Sequence, residues 1–150
     1  MPTSPQAEAE VPDGFVPIVF RSAFTHTVNA RYYVKGRGHS RTFGVRIEPQ
    51  HCHARGYAHG GFLLALADFT LSYGAYDGTD LPPRMTLHLN ADFMRPTSVG
   101  DWLEIDVEVR KYSDTLAFAD CVMHVGQREI LRASGVFRPM RTPDANSIKD

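Results

Sequence analysis

Residues 60–76 place the strongest constraint on the fold, because they form an apolar run of helical length. Every residue from Phe62 to Ala67 is apolar. A helix that is apolar on nearly every face is a buried helix. We therefore expect one long buried helix over residues 60 to about 76, which ends near Asp77-Gly78 because glycine permits a left-handed cap and Pro82-Pro83 prevents continuation.

The segments around this helix alternate with the two-residue period of half-buried strands. Residues 31–35 and 41–47 are predicted to form a hairpin through the turn Gly36-Arg37-Gly38. Further strands are predicted over residues 85–94, 102–110, 116–125 and 129–137. Residues 15–24 fit neither period, so their structure stays open. This order favours the α+β class, with a single antiparallel sheet folded around one helix.

Length and composition favour one globular domain. The chain has 150 residues, 43% of them hydrophobic, and a formal net charge of -1. The apolar residues suffice for one hydrophobic core. No run of basic residues could follow a phosphate backbone, so nucleic acid is a disfavoured partner. We expect a flexible segment over residues 1–14, a single domain over 15–140 and a flexible tail over 141–150. No signal peptide and no membrane-spanning stretch is recognisable, so we expect a cytoplasmic protein without a membrane partner.

One carboxylate interrupts the apolar helix. Asp68 follows residues 62–67 and precedes Phe69. A carboxylate is rarely buried unless it is paired or used in chemistry. Asp68 is thus either a residue at the helix edge that reaches water or a hydrogen-bond partner, or a general base or nucleophile in a pocket.

The start of the helix is the second candidate feature. In His59-Gly60-Gly61 the glycines permit close approach to the backbone, and the first N–H groups of a helix have no intrahelical partners. Such a terminus can bind an anion or an oxyanion that develops on a carbonyl. A tight turn from loop to helix explains the same glycines.

The loop before the helix contains possible metal ligands, and the next strand carries polar residues. His51, Cys52 and His53 are consecutive and lack the spaced pairs that are typical of zinc sites, so no metal site is predicted. In the strand, regular alternation places Thr86 and His88 opposite Met85, Leu87 and Leu89. That pattern is typical of a solvated or interface face.

Taken together, these motifs resemble a known family. The combination is His59-Gly60-Gly61 at the start of a long apolar helix, Asp68 nine residues after the histidine, and the strand motifs Met85-Thr86-Leu87, Phe93-Met94-Arg95-Pro96 and Gly100-Asp101. Over residues 30–138 the chain resembles the hot-dog-fold acyl-CoA thioesterases, in particular the phenylacetate-pathway type that carries the His-Gly-Gly turn.

The resemblance implies a fold, an assembly and an activity. The hot-dog fold wraps a single antiparallel sheet around one long helix, and the chains form a homodimer or a dimer of dimers, which is a homotetramer. The implied enzyme hydrolyses an acyl-CoA to the free acid and CoA without metal or organic cofactor. The N–H of Gly60 would polarise the thioester carbonyl, Asp68 would activate water or attack directly, and Thr86 would help to place the water.

The substrate-binding positions include one departure from the family. His59 and Gly61 flank Gly60, and His53 stands where the family usually has an asparagine whose amide binds the carbonyl. An imidazole can donate the same hydrogen bond, although it also titrates near neutral pH. Two other functions stay open. One is a hydratase or dehydratase on acyl thioesters that uses His53 or His88, and the other is a non-catalytic acyl-CoA-binding protein.

Helix geometry adds a constraint that does not depend on the resemblance. Gly60 and Asp68 are eight residues apart, which is about 12 Å along a helix axis. A carbonyl carbon held at the N-terminus needs its attacking atom within about 3.5 Å, and a bridging water adds only about 3 Å. If both residues are catalytic, Asp68 must therefore come from a partner subunit.

Overall fold

The elements follow the order that the hydrophobic pattern predicts, with short additions near the N-terminus. The computed structural model describes residues 10–75 and 84–140. In chain order it contains β1 (Val16–Ile18), α1 (Ala23–Val28), β2 (Tyr32–Arg37), β3 (Ser40–Arg46), a 3-10 turn (Pro49–His51), α2 (Gly60–Gly74), β4 (Arg84–Phe93), β5 (Trp102–Tyr112), β6 (Ala117–Val125) and β7 (Arg128–Pro139). The six predicted strands are confirmed, with ends that shift by one or two residues.

All strands belong to one antiparallel sheet. Their order across the sheet is β1-β2-β3-β5-β6-β7-β4. The pairs β2–β3, β5–β6 and β6–β7 are hairpins between consecutive strands. Strand β4 follows α2 in the chain but pairs with β7, so it lies at one edge of the sheet. The predicted α+β architecture, a single antiparallel sheet around one long helix, is confirmed.

The core lies between one face of the sheet and one face of α2. Leu103, Ile105 and Val107 are at most 2% exposed, as the alternation in β5 predicts. The buried residues of α2 recur every three or four positions, which places them on one side of the helix: Leu63, Leu66, Ala67, Thr70, Leu71 and Gly74. This side of α2 contacts β3 to β7, so the helix is held by most of the sheet.

The opposite face of α2 corrects the prediction of a helix buried all round. Gly61 and Leu64 are exposed, and Ala65, Asp68 and Ser72 are only half-buried. Leu64 keeps 37% of its surface in contact with solvent. A single sheet can cover only one side of a helix, so the second apolar side of α2 stays uncovered within one chain.

Residues 15–24, whose structure the sequence leaves open, form β1 and the start of α1. Ser22 caps α1, because its Oγ accepts a hydrogen bond from the Thr25 N–H at 3.1 Å. Between these elements, Phe20 packs edge-on against Tyr32 and Tyr73, with ring centroids 4.8 and 5.4 Å away. The segment thus packs beside the C-terminal half of α2.

Two predicted turns are resolved differently. The β2–β3 turn consists of Gly38 and His39 rather than residues 36–38, and Gly38 has a φ of +77° that favours glycine. Helix α2 ends at Gly74, and the predicted stop signals Asp77-Gly78 and Pro82-Pro83 lie outside the described residues. Within the described ranges, no helix is both long and apolar enough to cross a membrane.

Candidate functional site

Asp68 and Thr86 are in direct contact at the uncovered face of α2. The Thr86 hydroxyl donates a hydrogen bond of 2.6 Å to Asp68 Oδ1. Asp68 is half-buried rather than buried, and Thr86 is exposed. Among the described residues, no hydrogen bond reaches the second carboxylate oxygen, Oδ2. One oxygen of the carboxylate is therefore fixed, and the other is free to act on a ligand.

A β-bulge explains why Thr86 faces the helix. The register with β7 shifts between Thr86, which lies opposite Phe137, and His88, which lies opposite Val136. Residues directly opposite each other share a face, so Thr86 lies on the core side with Phe137, while Leu89 lies there with Gly135. The prediction that Thr86 and His88 share a face is therefore wrong, because one extra residue reverses the alternation.

The N-terminus of α2 begins where the sequence predicts. His59 is the N-cap residue and its side chain makes no capping hydrogen bond. The first N–H groups, which begin with that of Gly60, therefore keep their capacity to bind an acceptor. The positive end of the helix dipole lies at the same place and favours negative charge.

In the part of the chain that the structure describes, neither backbone conformation nor packing requires the two glycines at this terminus. Neither has a positive φ. A Cβ at Gly61 would meet nothing within 4 Å, and one at Gly60 would meet only the Phe93 ring, at 3.4 Å. Glycine is also unfavourable in helices relative to alanine. The space at the Cβ positions of Gly60 and Gly61 is thus available to a ligand or a second chain.

The loop before α2 is anchored by His51. This side chain is buried and stacks on Phe62 with ring centroids 4.2 Å apart. Its Nδ1 accepts a hydrogen bond from the Glu48 N–H at 3.0 Å, which leaves the proton on Nε2, 3.3 Å from the Asn29 carbonyl oxygen. Burial lowers the pKa of His51, although the Asn29 carbonyl and the nearby Glu48 carboxylate oppose the shift.

His53 and His59 lie together beside the helix N-terminus. Both side chains are exposed, and their rings meet edge-on with centroids 5.8 Å apart. His53 Nδ1 accepts a hydrogen bond of 3.1 Å from the Arg55 N–H. Among residues 10–75 and 84–140, no group of three His, Cys, Asp or Glu side chains is placed to hold a metal ion.

The predicted site residues thus form two separate groups. His53, His59, Gly60 and Gly61 lie at the N-terminus of α2, and Asp68 lies two turns further along with Thr86. His59 and Gly61 line a cleft of about 460 Å³. Asp68 and Thr86 line a different cleft of about 800 Å³. One chain does not bring the two groups together.

The larger cleft contains Arg84, a residue that the sequence analysis does not single out. Arg84 lies on β4 two residues before Thr86, and its side chain is 8% exposed. Within residues 10–75 and 84–140, none of its three guanidinium nitrogens has a hydrogen-bond partner. The guanidinium lies over the Tyr112 ring, 4.7 Å from the centroid. The available signal was its even spacing from Thr86, which places both residues on one face of the strand.

The chain is similar to thioesterases and esterases, both by a family model and by individual relatives. The model of the thioesterase superfamily matches residues 55–131. PA0474 of Pseudomonas aeruginosa is named as a candidate esterase. It is 36% identical over 128 residues, which cover 85% of this chain and 96% of that protein. Acyl-coenzyme A thioesterase THEM5 of Mus musculus is 37% identical over 87 residues, which cover 56% of this chain and 34% of that protein.

Solved structures share the fold. The PaaI protein from the phenylacetic acid degradation operon of E. coli has a TM-score of 0.70 at 18% identity, over 81% of this chain and 86% of that chain. A hypothetical thioesterase protein of Streptococcus pneumoniae, solved with coenzyme A, has a TM-score of 0.67 at 18% identity, over 73% of this chain and 85% of that chain. These similarities confirm the hot-dog architecture.

The buried His51 predicts a pH-dependent stability. Its folded-state pKa lies below the ordinary value of 6.5, so the unfolded chain takes up the proton first as the pH falls. The stabilisation by neutral His51 is fully present above pH 6.5 and is lost as the pH falls from there through the folded-state pKa. In urea titrations, His51→Gln should lower the free energy of unfolding more at pH 8 than at pH 5. Equal losses at the two pH values would contradict this role.

Proposed function

The chain belongs to the thioesterase superfamily, and from this membership we propose that it hydrolyses acyl-coenzyme A thioesters at a site shared by two protomers. In each site, the α2 N-terminus of one protomer binds the thioester carbonyl and Asp68 of the other acts on the carbonyl carbon. The relative named as an acyl-coenzyme A thioesterase and the related fold solved with coenzyme A support this choice of substrate.

The hydrogen bond between Thr86 and Asp68 is the observation that carries the proposal. It orients a carboxylate on a helix face that the chain's own sheet leaves uncovered. With Oδ1 held by the Thr86 hydroxyl, Oδ2 can accept a proton from water while the water oxygen attacks the thioester carbon. Direct attack by the carboxylate on the same carbon is the other route that this arrangement permits.

The helix N-terminus supplies the complementary charge. As the nucleophile adds, the carbonyl oxygen becomes negative, and the N–H of Gly60 can donate a hydrogen bond to it. Such a donor accounts for about 10² to 10³ in turnover in enzymes where it has been removed. The tetrahedral intermediate then breaks its C–S bond and releases the thiolate of coenzyme A, which is a good leaving group and requires little acid assistance.

The length of α2 is the reason for a shared site. Gly60 and Asp68 belong to one continuous helix, so about 12 Å separates them along its axis. That separation exceeds the reach of a carboxylate acting through one water. A two-fold axis between two chains can instead place Asp68 of each chain near Gly60 of the other, which creates two equivalent sites.

Two surfaces of the chain are suited to this dimer. The uncovered face of α2 contains the small residues Gly61 and Ala65, which permit close approach of another backbone. Strand β4 lies at the sheet edge and exposes Leu87 and Phe93, of which 49% and 54% are accessible. An unpaired edge of ten residues is a template for pairing with a second copy. A homodimer is the minimum assembly, and a dimer of dimers would contain the same shared sites.

The remaining predicted residues flank the carbonyl position. His53 and His59 lie at the N-terminus of α2 with free access to a ligand, and Gly61 leaves the second N–H of the helix open. We assign them to substrate binding, with the His53 imidazole donating to the thioester carbonyl in place of an amide.

The two alternative functions are distinguished by products. A hydratase requires a histidine beside the carboxylate. His88 lies on the face of β4 opposite Thr86, which leaves His53 as the imidazole that a hydratase would use. We expect free thiol to appear from a panel of acyl-CoAs that runs from acetyl through phenylacetyl to long-chain esters. A change in enoyl absorbance without thiol release would indicate a hydratase, and saturable binding without either would indicate a non-catalytic protein.

Asp68→Asn tests the catalytic carboxylate. The amide keeps the volume and can accept the Thr86 hydrogen bond, but it cannot take up a proton or attack. Turnover should fall on the order of a hundredfold or more with little change in substrate binding. Asp114→Asn, which makes the same change in charge at an exposed turn, is the matched control and should retain full turnover. Near-normal turnover in Asp68→Asn would refute the role of Asp68.

Subunit mixing tests the shared site. Asp68→Ala inactivates both sites of a dimer, and Gly60→Val does so by obstructing the helix N-terminus. In a mixed dimer both lesions fall in one site and the other site is intact. After joint unfolding and refolding, half of the dimers are mixed, so about a quarter of all sites should be active. If subunit exchange is verified by mass and activity stays absent, Asp68 and Gly60 do not act across the interface.

A further inference from the structure

The side chain of Arg84 has an unmet requirement for an acceptor. Its Nε and both terminal nitrogens are shielded from solvent, and none of them donates a hydrogen bond to the described residues. No carboxylate of the described chain forms an ion pair with it. The arginine side chain carries a fixed positive charge. A buried charge without a counter-charge is strongly unfavourable.

The geometry around Arg84 restricts what the missing acceptor can be. Tyr112 covers the face of the guanidinium at 4.7 Å, which leaves the N–H groups along its edge unpaired. Two parallel N–H groups at that edge match the two oxygens of a carboxylate. Arg84 lines the same cleft as Asp68 and Thr86, so a ligand in that cleft is the nearest candidate for the missing acceptor.

The cleft itself favours an anion. Its charged lining residues in the described chain are Arg21, Arg84 and Asp68, which sum to one positive charge. Its volume of about 800 Å³ is within the range of ligand sites, which is roughly 300 to 1,000 Å³. The same cleft contains the Asp68–Thr86 pair, so an anion at Arg84 would belong to a molecule that also reaches the reacting carboxylate.

We infer that Arg84 binds a terminal carboxylate on the acyl group, and that the preferred substrates are thioesters of dicarboxylic acids. This inference rests on the proposed function. Arg84 and Thr86 lie two residues apart on one face of β4, or about 7 Å between their Cα atoms. Because the two residues are neighbours on one face of the strand, we expect a short acyl chain such as glutaryl to place its carboxylate at Arg84.

A matched pair of substrates tests the inference on the unmodified protein. Glutaryl-CoA ends in a carboxylate, and its amide, glutaramyl-CoA, has the same shape without the charge. A charge-assisted pair of hydrogen bonds should favour glutaryl-CoA by about 10- to 100-fold in kcat/KM. The same preference should hold for the N-acetylcysteamine thioesters of the two acids, which lack the phosphates of coenzyme A. Equal rates for the charged and the amide substrate would overturn the inference.

Variants of Arg84 locate the preference. In Arg84→Met the ratio of the two kcat/KM values should fall to about one, and in Arg84→Lys it should be intermediate, because lysine keeps the charge but loses the two parallel donors. Arg110→Met removes an exposed arginine that pairs with Asp120 on the sheet, and it should leave the ratio unchanged. If Arg84→Met lowers kcat/KM for coenzyme A esters but not for N-acetylcysteamine esters, Arg84 binds a phosphate and the inference is wrong.

A binding measurement separates this inference from the proposed function. Free glutarate should bind the wild-type protein and raise its melting temperature, and the effect should be absent in Arg84→Met. Binding of this kind without any thioester hydrolysis would support the anion site and refute the proposed function. Hydrolysis that shows no preference for a terminal carboxylate, together with no glutarate binding, would refute the anion site and leave the proposed function intact.

Discussion

The structure depends on a mismatch in apolar surface: the helix has two apolar sides, and the sheet covers one of them. Helix α2 is apolar on two sides, and a single sheet covers only the side that contains Leu66, Thr70 and Leu71. The second side exposes Leu64 and leaves Asp68 half-buried. Apolar surface of this kind is unfavourable in water. The helix face that favours association therefore also contains Asp68.

Periodicity predicted most of the fold because most of the strands are regular. In β5, the positions of Leu103, Ile105 and Val107 alternate with charged residues, and all three are buried as expected. Regularity fails where β4 bulges after Thr86, and a bulge of one residue leaves no mark in the hydrophobic pattern. For this reason the resemblance identified Thr86, whereas the alternation placed it with His88 on the wrong face.

The site residues differ in how far the sequence could predict them. Asp68 stood out because a charge interrupts an apolar run, and the structure supplies its partner, Thr86. The burial of His51 could not be predicted, because it depends on stacking against Phe62 and on contacts with Glu48 and Asn29, which only the folded loop brings together. Arg84 was missed for a similar reason: an arginine at the start of a strand is usually solvated, and only the tertiary structure encloses it.

Charge at the site has to be balanced locally. The whole chain carries a formal charge of -1, but salt screens charges over about 8 Å at physiological ionic strength, so distant residues have little influence on a substrate. Asp68 alone would repel an anionic acyl group from the position where it must act. The cations Arg21 and Arg84 in the same cleft offset that repulsion, while the dipole of the α2 N-terminus favours negative charge on the carbonyl oxygen. If Asp68 acts on a negatively charged acyl group, Arg21 and Arg84 therefore supply the local compensation that the net charge of the chain does not supply.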